Sequence, residues 1–107
     1  MAKIWKNTHC SGRNVDGSYL ADFKTKTNIP YCREQPGEED AAAISNCVEK
    51  CGEIRTCNGF TFSRGTDNTN RCCFRADTSE KKHGISEFAC FEKVKIAMKP
   101  ESSEYAE

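Results

Sequence analysis

The stretch Cys47-Val48-Glu49-Lys50-Cys51 decides the fold of this chain, together with Cys57-Asn58-Gly59-Phe60-Thr61-Phe62 and Cys72-Cys73-Phe74 further along. The first two cysteines are separated by about one turn of a helix. The third precedes a Gly-aromatic strand, and an adjacent pair begins the next strand. The chain has eight cysteines in 107 residues, and this clustering predicts a fold held together by disulfide bonds.

The composition favours a small extracellular domain. Only 36% of the residues are hydrophobic and 30% are charged, so a chain of this length buries little apolar surface and depends on cross-links. Disulfides persist in oxidising compartments, which predicts a secreted or surface-exposed protein. A cytosolic zinc protein is the alternative. It is disfavoured because the chain has no Cys-x-x-Cys pair, and its two histidines, His9 and His83, lie far apart.

The charge balance argues against two classes of partner. Sixteen basic and sixteen acidic side chains cancel, which disfavours a global role in binding nucleic acid or a membrane surface. No segment approaches the roughly 20 apolar residues that a membrane helix needs, so we expect no membrane insertion. The first five residues contain no apolar signal core. We therefore expect that a secretion signal, if there was one, has been removed.

We expect one folded domain over residues 3–97 and a disordered tail or linker over residues 98–107, which are polar and acidic. One helix is predicted, with the carboxylates of Glu38, Glu39 and Asp40 at its positive end. Its buried stripe follows the i, i+3, i+4, i+7 pattern and consists of Ile44, Cys47, Val48 and Cys51. Gly52 is placed to end this helix as a left-handed cap.

The rest of the chain is predicted to form strands and loops. Residues 60–62 alternate with both aromatic side chains on one face, and residues 71–75 return as the second strand of a hairpin. A further strand is predicted over residues 88–96. Residues 4–5 and 18–23 are weaker strand candidates.

The directions of the cysteine side chains restrict their pairing. Cys47 and Cys51 leave the helix in nearly the same direction, so each should reach a different strand. Cys72 and Cys73 are neighbours on a strand and point to opposite faces, so one of them should face the helix. Eight cysteines allow 105 connectivities, and these two arguments alone leave many of them open.

The spacing resembles the core of the PAN/apple domain family. The residues that carry the resemblance are Cys47-x3-Cys51-x5-Cys57-x-Gly59-Phe60-x-Phe62, followed by Cys72-x-Phe74-Arg75. The resemblance covers residues 10 to 90 and is nearest to the adhesin modules of apicomplexan micronemes. It implies an α+β fold in which a single α-helix is cradled by a curved antiparallel sheet of about five strands and stapled by disulfides.

The resemblance also implies a set of bridges. It pairs Cys51 with Cys57 and Cys47 with Cys72, and it closes the two ends of the domain with Cys10–Cys90. Cys32 and Cys73 exceed the six-cysteine pattern of the family and would then pair with each other. An exchange of Cys10 and Cys32 is the open alternative.

The sequence shows no catalytic constellation, so we expect a binding protein without enzyme activity, cofactor or metal. The resemblance implies an extracellular adhesion module that binds carbohydrate, either a galactoside or a sulfated glycan, within a multi-domain chain. The candidate ligand-binding residues are Lys24, Lys26, Tyr31, Arg64, Arg71, Arg75, Lys81, Lys82 and His83.

The alternative function is a protein–protein interaction module whose partner is a host cell-surface protein. It needs an exposed aromatic patch from residues such as Tyr19, Tyr31 or Trp5. Of these, Trp5 is predicted to lie in the core. A cysteine-rich protease inhibitor is a third class, but nothing in the sequence marks a reactive-site loop.

Overall fold

A computed structural model describes residues 2–23, 29–36, 39–64 and 69–93 of the chain. Its elements are β1 (Ala2–Lys6), β2 (Thr8–Cys10), a 3₁₀ helix (Gly17–Leu20), β3 (Cys32–Pro36), α1 (Asp40–Glu53), β4 (Gly59–Arg64), β5 (Thr69–Arg75), β6 (Lys81–His83) and β7 (Phe88–Lys93). Five strands form an antiparallel sheet in the order β1-β7-β4-β5-β3, and β2 pairs with β6 in a separate sheet. The predicted α+β fold class is confirmed.

The core lies between α1 and one face of the five-stranded sheet. Phe60 and Phe62 on β4 both contribute to it, as the alternation of that strand predicts. The ring of Phe91 stacks on Phe60 with 4.9 Å between centroids, and Phe74 packs against Phe60 at 5.8 Å. These aromatic side chains supply much of the apolar surface that a chain of this composition can bury.

The helix presents Ala43, Cys47 and Cys51 to the core, while Ile44 and Val48 are half-buried at its flank. The predicted glycine cap is wrong, because the helix continues through Gly52 to Glu53 and Ile54 follows in an extended conformation.

A side chain from β7 holds the end of α1 and the loop that follows it. The Nζ atom of Lys93 donates to the carbonyl oxygens of Cys51, Ile54 and Cys57 at 3.2, 3.5 and 3.1 Å. Of these three residues only Cys51 lies within α1, and the chain leaves the helix in an extended conformation at Ile54 without a left-handed glycine. Glu38 lies outside the described residues.

Four disulfides connect the elements. They are Cys10–Cys90, Cys32–Cys73, Cys47–Cys72 and Cys51–Cys57. These are the four pairs that the resemblance implies, and the exchange of Cys10 with Cys32 is not observed. Cys72 faces the helix and Cys73 faces the opposite side of the sheet, which follows from their adjacent positions on β5.

The sheet of β2 and β6 covers the face of the large sheet that is turned away from α1. Its attachment is both covalent and polar. Cys10 bonds to Cys90 on β7, and the Thr61 hydroxyl on β4 accepts from Cys10 N at 3.1 Å and donates to Cys10 O at 3.0 Å. The chain is therefore layered on both sides of its central strands.

Two sequence-based predictions for the N-terminal half are wrong. Residues 17–20 form a 3₁₀ helix instead of a strand over 18–23, because the Asp16 side chain accepts from Ser18 N at 2.9 Å and starts a helical turn. Trp5 lies outside the core cluster and is half-buried, because β1 is the edge strand of the sheet. The predicted strand over 88–96 is described as far as Lys93, and residues 94–107, which include the predicted tail, lie outside the described part.

Candidate functional site

A cleft of about 490 Å³ opens at the end of β5. We call it the Tyr19 cleft. Its polar and aromatic lining consists of Arg13, Asn14, Asp16, Tyr19, Thr56 and Asn58, and Val15 and Ala76 add apolar surface. Apart from Ala76, the lining comes from two walls, one formed by residues 13–19 and the other by residues 56–58.

The first wall extends the edge of the large sheet beyond the point where β3 leaves it. Val15 N donates to Phe74 O at 3.1 Å, Ala76 N donates to Arg13 O at 2.7 Å, and Asn14 forms a β-bridge with Arg75. Main-chain bonds on both sides of Asn14 therefore fix this segment against β5. Ordering the segment in advance lowers the entropy that a ligand must remove when it binds.

Tyr19 is held in place by its neighbour in the 3₁₀ helix. Leu20 is fully buried, and its carbonyl oxygen accepts from Nε and Nη2 of Arg33 at 3.2 and 2.9 Å. Tyr19 itself remains 51% exposed. An exposed aromatic ring on an anchored turn provides a flat apolar platform with a polar hydroxyl at its tip.

The second wall is fixed by the helix end and by β7. The Cys51–Cys57 bridge closes the loop after α1, and the ammonium of Lys93 bonds three of its carbonyls. Lys93 N also donates to Asn58 O at 2.8 Å. The side-chain nitrogen of Asn58 donates to Ala76 O at 2.5 Å, which sets the orientation of its amide.

Arg75 connects the two walls. Its carbonyl oxygen accepts from Asn58 N at 2.8 Å, and its Nη1 atom donates to the side-chain oxygen of Asn14. The guanidinium carbon lies 5.3 Å from the ring centroid of Tyr31. Arg75 is only 6% exposed. Burial lowers the pKa of this guanidinium, and its interaction with Tyr31 opposes that effect.

The cleft combines groups that donate and groups that accept hydrogen bonds. The backbone N–H of Ser18 lowers the pKa of the Asp16 carboxyl, so this side chain is ionised at neutral pH and accepts only. Arg13 donates only, whereas Thr56, Asn58 and the Tyr19 hydroxyl can do both. Such a mixture, next to an aromatic ring, suits a ligand rich in hydroxyl groups.

The structure separates the candidate residues that the sequence suggested. Tyr31 and Arg75 meet behind the Tyr19 cleft. Arg64 pairs with Asp40 at the start of α1, and Arg71 pairs with Glu34 across β3 and β5 at 2.8 Å. Lys24 and Lys26 lie outside the described residues.

Lys81, Lys82 and His83 lie on β6, beside Trp5. The Nζ atoms of Lys3 and Lys81 lie 4.6 and 4.9 Å from the centroid of the Trp5 ring, and the ring of His83 lies 6.2 Å away. We call Trp5, Lys3, Lys81, Lys82 and His83 the Trp5 cluster.

Lys81 is already engaged within the Trp5 cluster. The Glu92 carboxylate accepts from Lys81 at 3.2 Å and from the Thr78 hydroxyl at 2.8 Å. Burial raises the pKa of Glu92, but these hydrogen bonds outweigh that effect and lower it. Glu92 therefore stays ionised at neutral pH and holds the Lys81 ammonium next to the indole.

Sequence reasoning missed most of the cleft. Of its lining residues, only Tyr19 was considered, and then for a protein interface. The Asp16-Gly17-Ser18 turn and the Asn58-Gly59 step were the local signals available. Neither shows that the two segments meet, because their contact runs through the main chain of β5.

Comparisons with protein-family models, with curated proteins and with solved structures found no match for this chain. The PAN/apple resemblance therefore stays a prediction. Within the described ranges, no helix combines the length and apolar character needed to cross a bilayer. The same residues contain no group of three or more His, Cys, Asp or Glu side chains placed to hold a metal ion.

Proposed function

We propose that this protein is an extracellular recognition module that binds carbohydrate in the Tyr19 cleft. The observation that carries the proposal is the half-exposed ring of Tyr19 beside Arg13, Asp16, Thr56 and Asn58. Sugars are bound by an aromatic face together with several converging hydrogen-bonding groups, and a concave site limits the competition from water.

A terminal galactoside is the ligand class that suits this cleft. One face of a galactose ring consists of C–H groups and can pack on an aromatic side chain, while its hydroxyls both donate and accept hydrogen bonds. Asp16 offers acceptor oxygens and Arg13 offers donors, so the lining can match both roles. The cleft volume of about 490 Å³ lies within the range of small-molecule sites.

The four disulfides support an extracellular setting for this module. They link each layer of the fold to the central strands, and structural bridges of this kind persist where the compartment is oxidising. A recognition module also gains from them, because rigid walls reduce the ordering cost of binding.

The alternative of a protein–protein module has weaker support. Among the described residues, Ile4 and Tyr19 are the large hydrophobic side chains that are exposed, and they belong to different elements. A protein interface usually needs a contiguous patch with several aromatic or apolar anchors. The residues that the structure describes do not offer such a patch around Tyr19.

A sulfated glycan is a second candidate ligand, at the Trp5 cluster and not in the cleft. The described lysines whose ammonium groups form no ion pair and no hydrogen bond within the described part of the chain are Lys3, Lys6 and Lys82, all on β1 and β6. A chain without net charge thus carries a local surplus of positive charge there. Sulfate groups would be attracted to it in a salt-dependent way.

A glycan array followed by calorimetric titration tests the proposal. We expect the wild type to bind terminal galactosides and Tyr19→Ala to lose at least about tenfold in affinity, because the stacking platform is removed. Ile4→Ala is the matched control, since it also removes an exposed apolar side chain and should bind as the wild type does.

An array without signal, together with a host surface protein recovered by pull-down, would support the protein module instead. Equal binding by Tyr19→Ala and the wild type would show that any sugar site lies elsewhere on the molecule.

A further inference from the structure

Thr8 on β2 holds the ring of His83 on β6. The two residues are paired in the register of this small sheet, and the hydroxyl oxygen of Thr8 lies 3.2 Å from the Nδ1 atom of His83. The same hydroxyl oxygen lies 2.8 Å from the carbonyl oxygen of Lys6. Thr8 is only 1% exposed, so both contacts are made by a hydroxyl that is shielded from water.

These two contacts determine which nitrogen of His83 carries the hydrogen when the ring is neutral. A hydroxyl has a single hydrogen and a carbonyl oxygen can only accept, so Thr8 donates to the carbonyl oxygen of Lys6. Towards His83 the Thr8 oxygen can then only accept, which requires an N–H at Nδ1. The lone pair of the neutral ring is therefore on Nε2, and Nε2 is the atom that takes up a proton in acid.

The Nε2 atom of His83 is open to a ligand. His83 is an exposed residue, and its Nε2 has no hydrogen-bond partner among the described residues. None of the ion pairs in the described part of the chain includes this side chain. Protonation of His83 therefore adds a positive charge and a hydrogen-bond donor that no described carboxylate already uses.

This proton is added beside a second unpaired cation. The ring of His83 lies 6.2 Å from the ring of Trp5, and the ammonium of Lys3, which has no ion-pair partner among the described residues, lies 4.6 Å from the centroid of the same ring. Lys81 also borders this ring, but the carboxylate of Glu92 accepts from it at 3.2 Å and offsets its charge. The charge of His83 therefore decides whether Lys3 acts alone or together with another unpaired cation.

The charges on the surrounding strands stay constant while histidines titrate. The charged and titratable side chains on these strands are Lys3 and Lys6 on β1, His9 on β2, Lys81 and Lys82 on β6, and Glu92 and Lys93 on β7. Burial opposes the shift, but the hydrogen bonds from Thr78 and Lys81 lower the pKa of Glu92. Between about pH 7 and pH 5.5 the two histidines are therefore the members of this set that change charge.

We propose that His83 makes the Trp5 cluster bind sulfate esters more tightly in acid, by adding a charged N–H donor at Nε2 next to Lys3 and Trp5. A sulfate ester stays ionised throughout this range, whereas a phosphate monoester loses part of its second charge below about pH 6. Acid therefore favours sulfated ligands over phosphorylated ones. This inference rests on the sulfated glycan of the proposed function for its ligand, but the tautomer of His83 can be measured without one.

The nitrogen chemical shifts of the His83 ring in ¹⁵N-labelled protein test the first step. At a pH above the titration of His83, we expect Nδ1 to show the shift of an N–H nitrogen and Nε2 that of an unprotonated nitrogen. Thr8→Val removes the acceptor and should lower the fraction of rings with the hydrogen on Nδ1. A neutral wild-type ring that carries its hydrogen on Nε2 would overturn the proposal.

Calorimetric titration with sucrose octasulfate tests the effect on binding, because its sulfate esters do not change charge in this range. At constant ionic strength we expect the dissociation constant to fall about threefold to fivefold between about pH 7 and pH 5.5, which is the gain from one additional exposed ion pair. His83→Gln should bind equally at both pH values. His9→Gln is the matched control, because it removes the other histidine of the chain and should keep the increase.

Linkage provides a second readout in the wild type. Because the bound sulfate favours the charged ring, saturation with sucrose octasulfate should move the titration midpoint of His83 to higher pH. An affinity that is independent of pH in the wild type, or that keeps its pH dependence in His83→Gln, would refute the role of His83 and leave the sulfated glycan as a candidate ligand. Absence of binding at both pH values would instead refute the candidate ligand, and this inference with it.

Discussion

The double variant Cys10→Ala with Cys90→Ala tests how the bridges stabilise this fold. The bridge that it removes joins the β2–β6 sheet to β7 and spans 80 residues of sequence. The Cys51–Cys57 bridge, which spans 6 residues, is a suitable reference because all four of these cysteines are buried to a similar extent. The same alanine substitutions there remove a comparable amount of packing.

The difference between the two bridges can be worked out from the loops that they close. The Cys32–Cys73 bridge shortens the route from Cys10 to Cys90, which then runs through roughly 39 residues instead of 80. By the chain-entropy argument, a loop of that length corresponds to about 4 kcal/mol and a loop of 6 residues to about 2 kcal/mol. The Cys10–Cys90 variant should therefore lose roughly 1.7 kcal/mol more of its free energy of unfolding.

Urea unfolding of both double variants and of the wild type measures this difference. The slope of each transition shows whether the unfolded chains expose comparable surface, which the comparison requires. Equal losses in the two variants, or a larger loss for Cys51–Cys57, would refute the entropic explanation. The bridges would then act mainly through contacts in the folded state.

Two further predictions concern charged side chains. Lys93→Met should cost about 1–3 kcal/mol in the free energy of unfolding, because one carbonyl group in the last turn of α1 and two in the loop after it lose a charged donor. Calorimetry with a lactose titration should show a lower melting temperature and weaker binding together. Lys82→Ser should lower the salt concentration at which the protein elutes from heparin. Arg55→Ser removes an exposed positive charge elsewhere and should leave that salt concentration unchanged. Equal shifts in both variants would indicate attraction by overall charge alone.

The sequence predicts the directions of side chains correctly where the local geometry of a helix or a strand determines them. The 3.6-residue stripe through Cys47 and Cys51 predicts which face of α1 is buried, and the alternation through Phe60 and Phe62 predicts which face of β4 meets it. The adjacent cysteines Cys72 and Cys73 must point to opposite faces of a strand, and in the structure Cys72 bonds to Cys47 on the helix while Cys73 bonds to Cys32 on the neighbouring strand.

The cleft could not be predicted in this way, because long-range main-chain bonds create it. Nothing in residues 13–19 shows that they continue the sheet beyond β3, and nothing in residues 56–58 shows that they face that segment across Arg75. The ion pairs of two cationic candidates could not be predicted for a related reason. Arg64 and Arg71 pair with acidic side chains that are distant in sequence, and such partners become visible only once the strands are in register.

Gly52 illustrates how a tertiary contact overrides a local signal. A glycine near the end of a helix favours a left-handed cap because that conformation satisfies the last carbonyl groups. Here the chain leaves α1 in an extended conformation at Ile54, and the Lys93 ammonium, which comes from β7, bonds the carbonyl groups of Cys51, Ile54 and Cys57. The same contact holds the wall that carries Thr56 and Asn58, so one side chain supports both the end of α1 and the cleft.

The small size of the core and the exposed polar lining of the cleft are physically related. With little apolar surface to bury, the chain fixes its layers by bridges and by cations that bond several carbonyl groups, as the half-buried Lys93 and the buried Arg33 do. Because covalent and polar contacts provide the rigidity, the side chain of Tyr19 is not needed for packing. Tyr19 can therefore stay exposed on a fixed support, which is the arrangement that a recognition site requires.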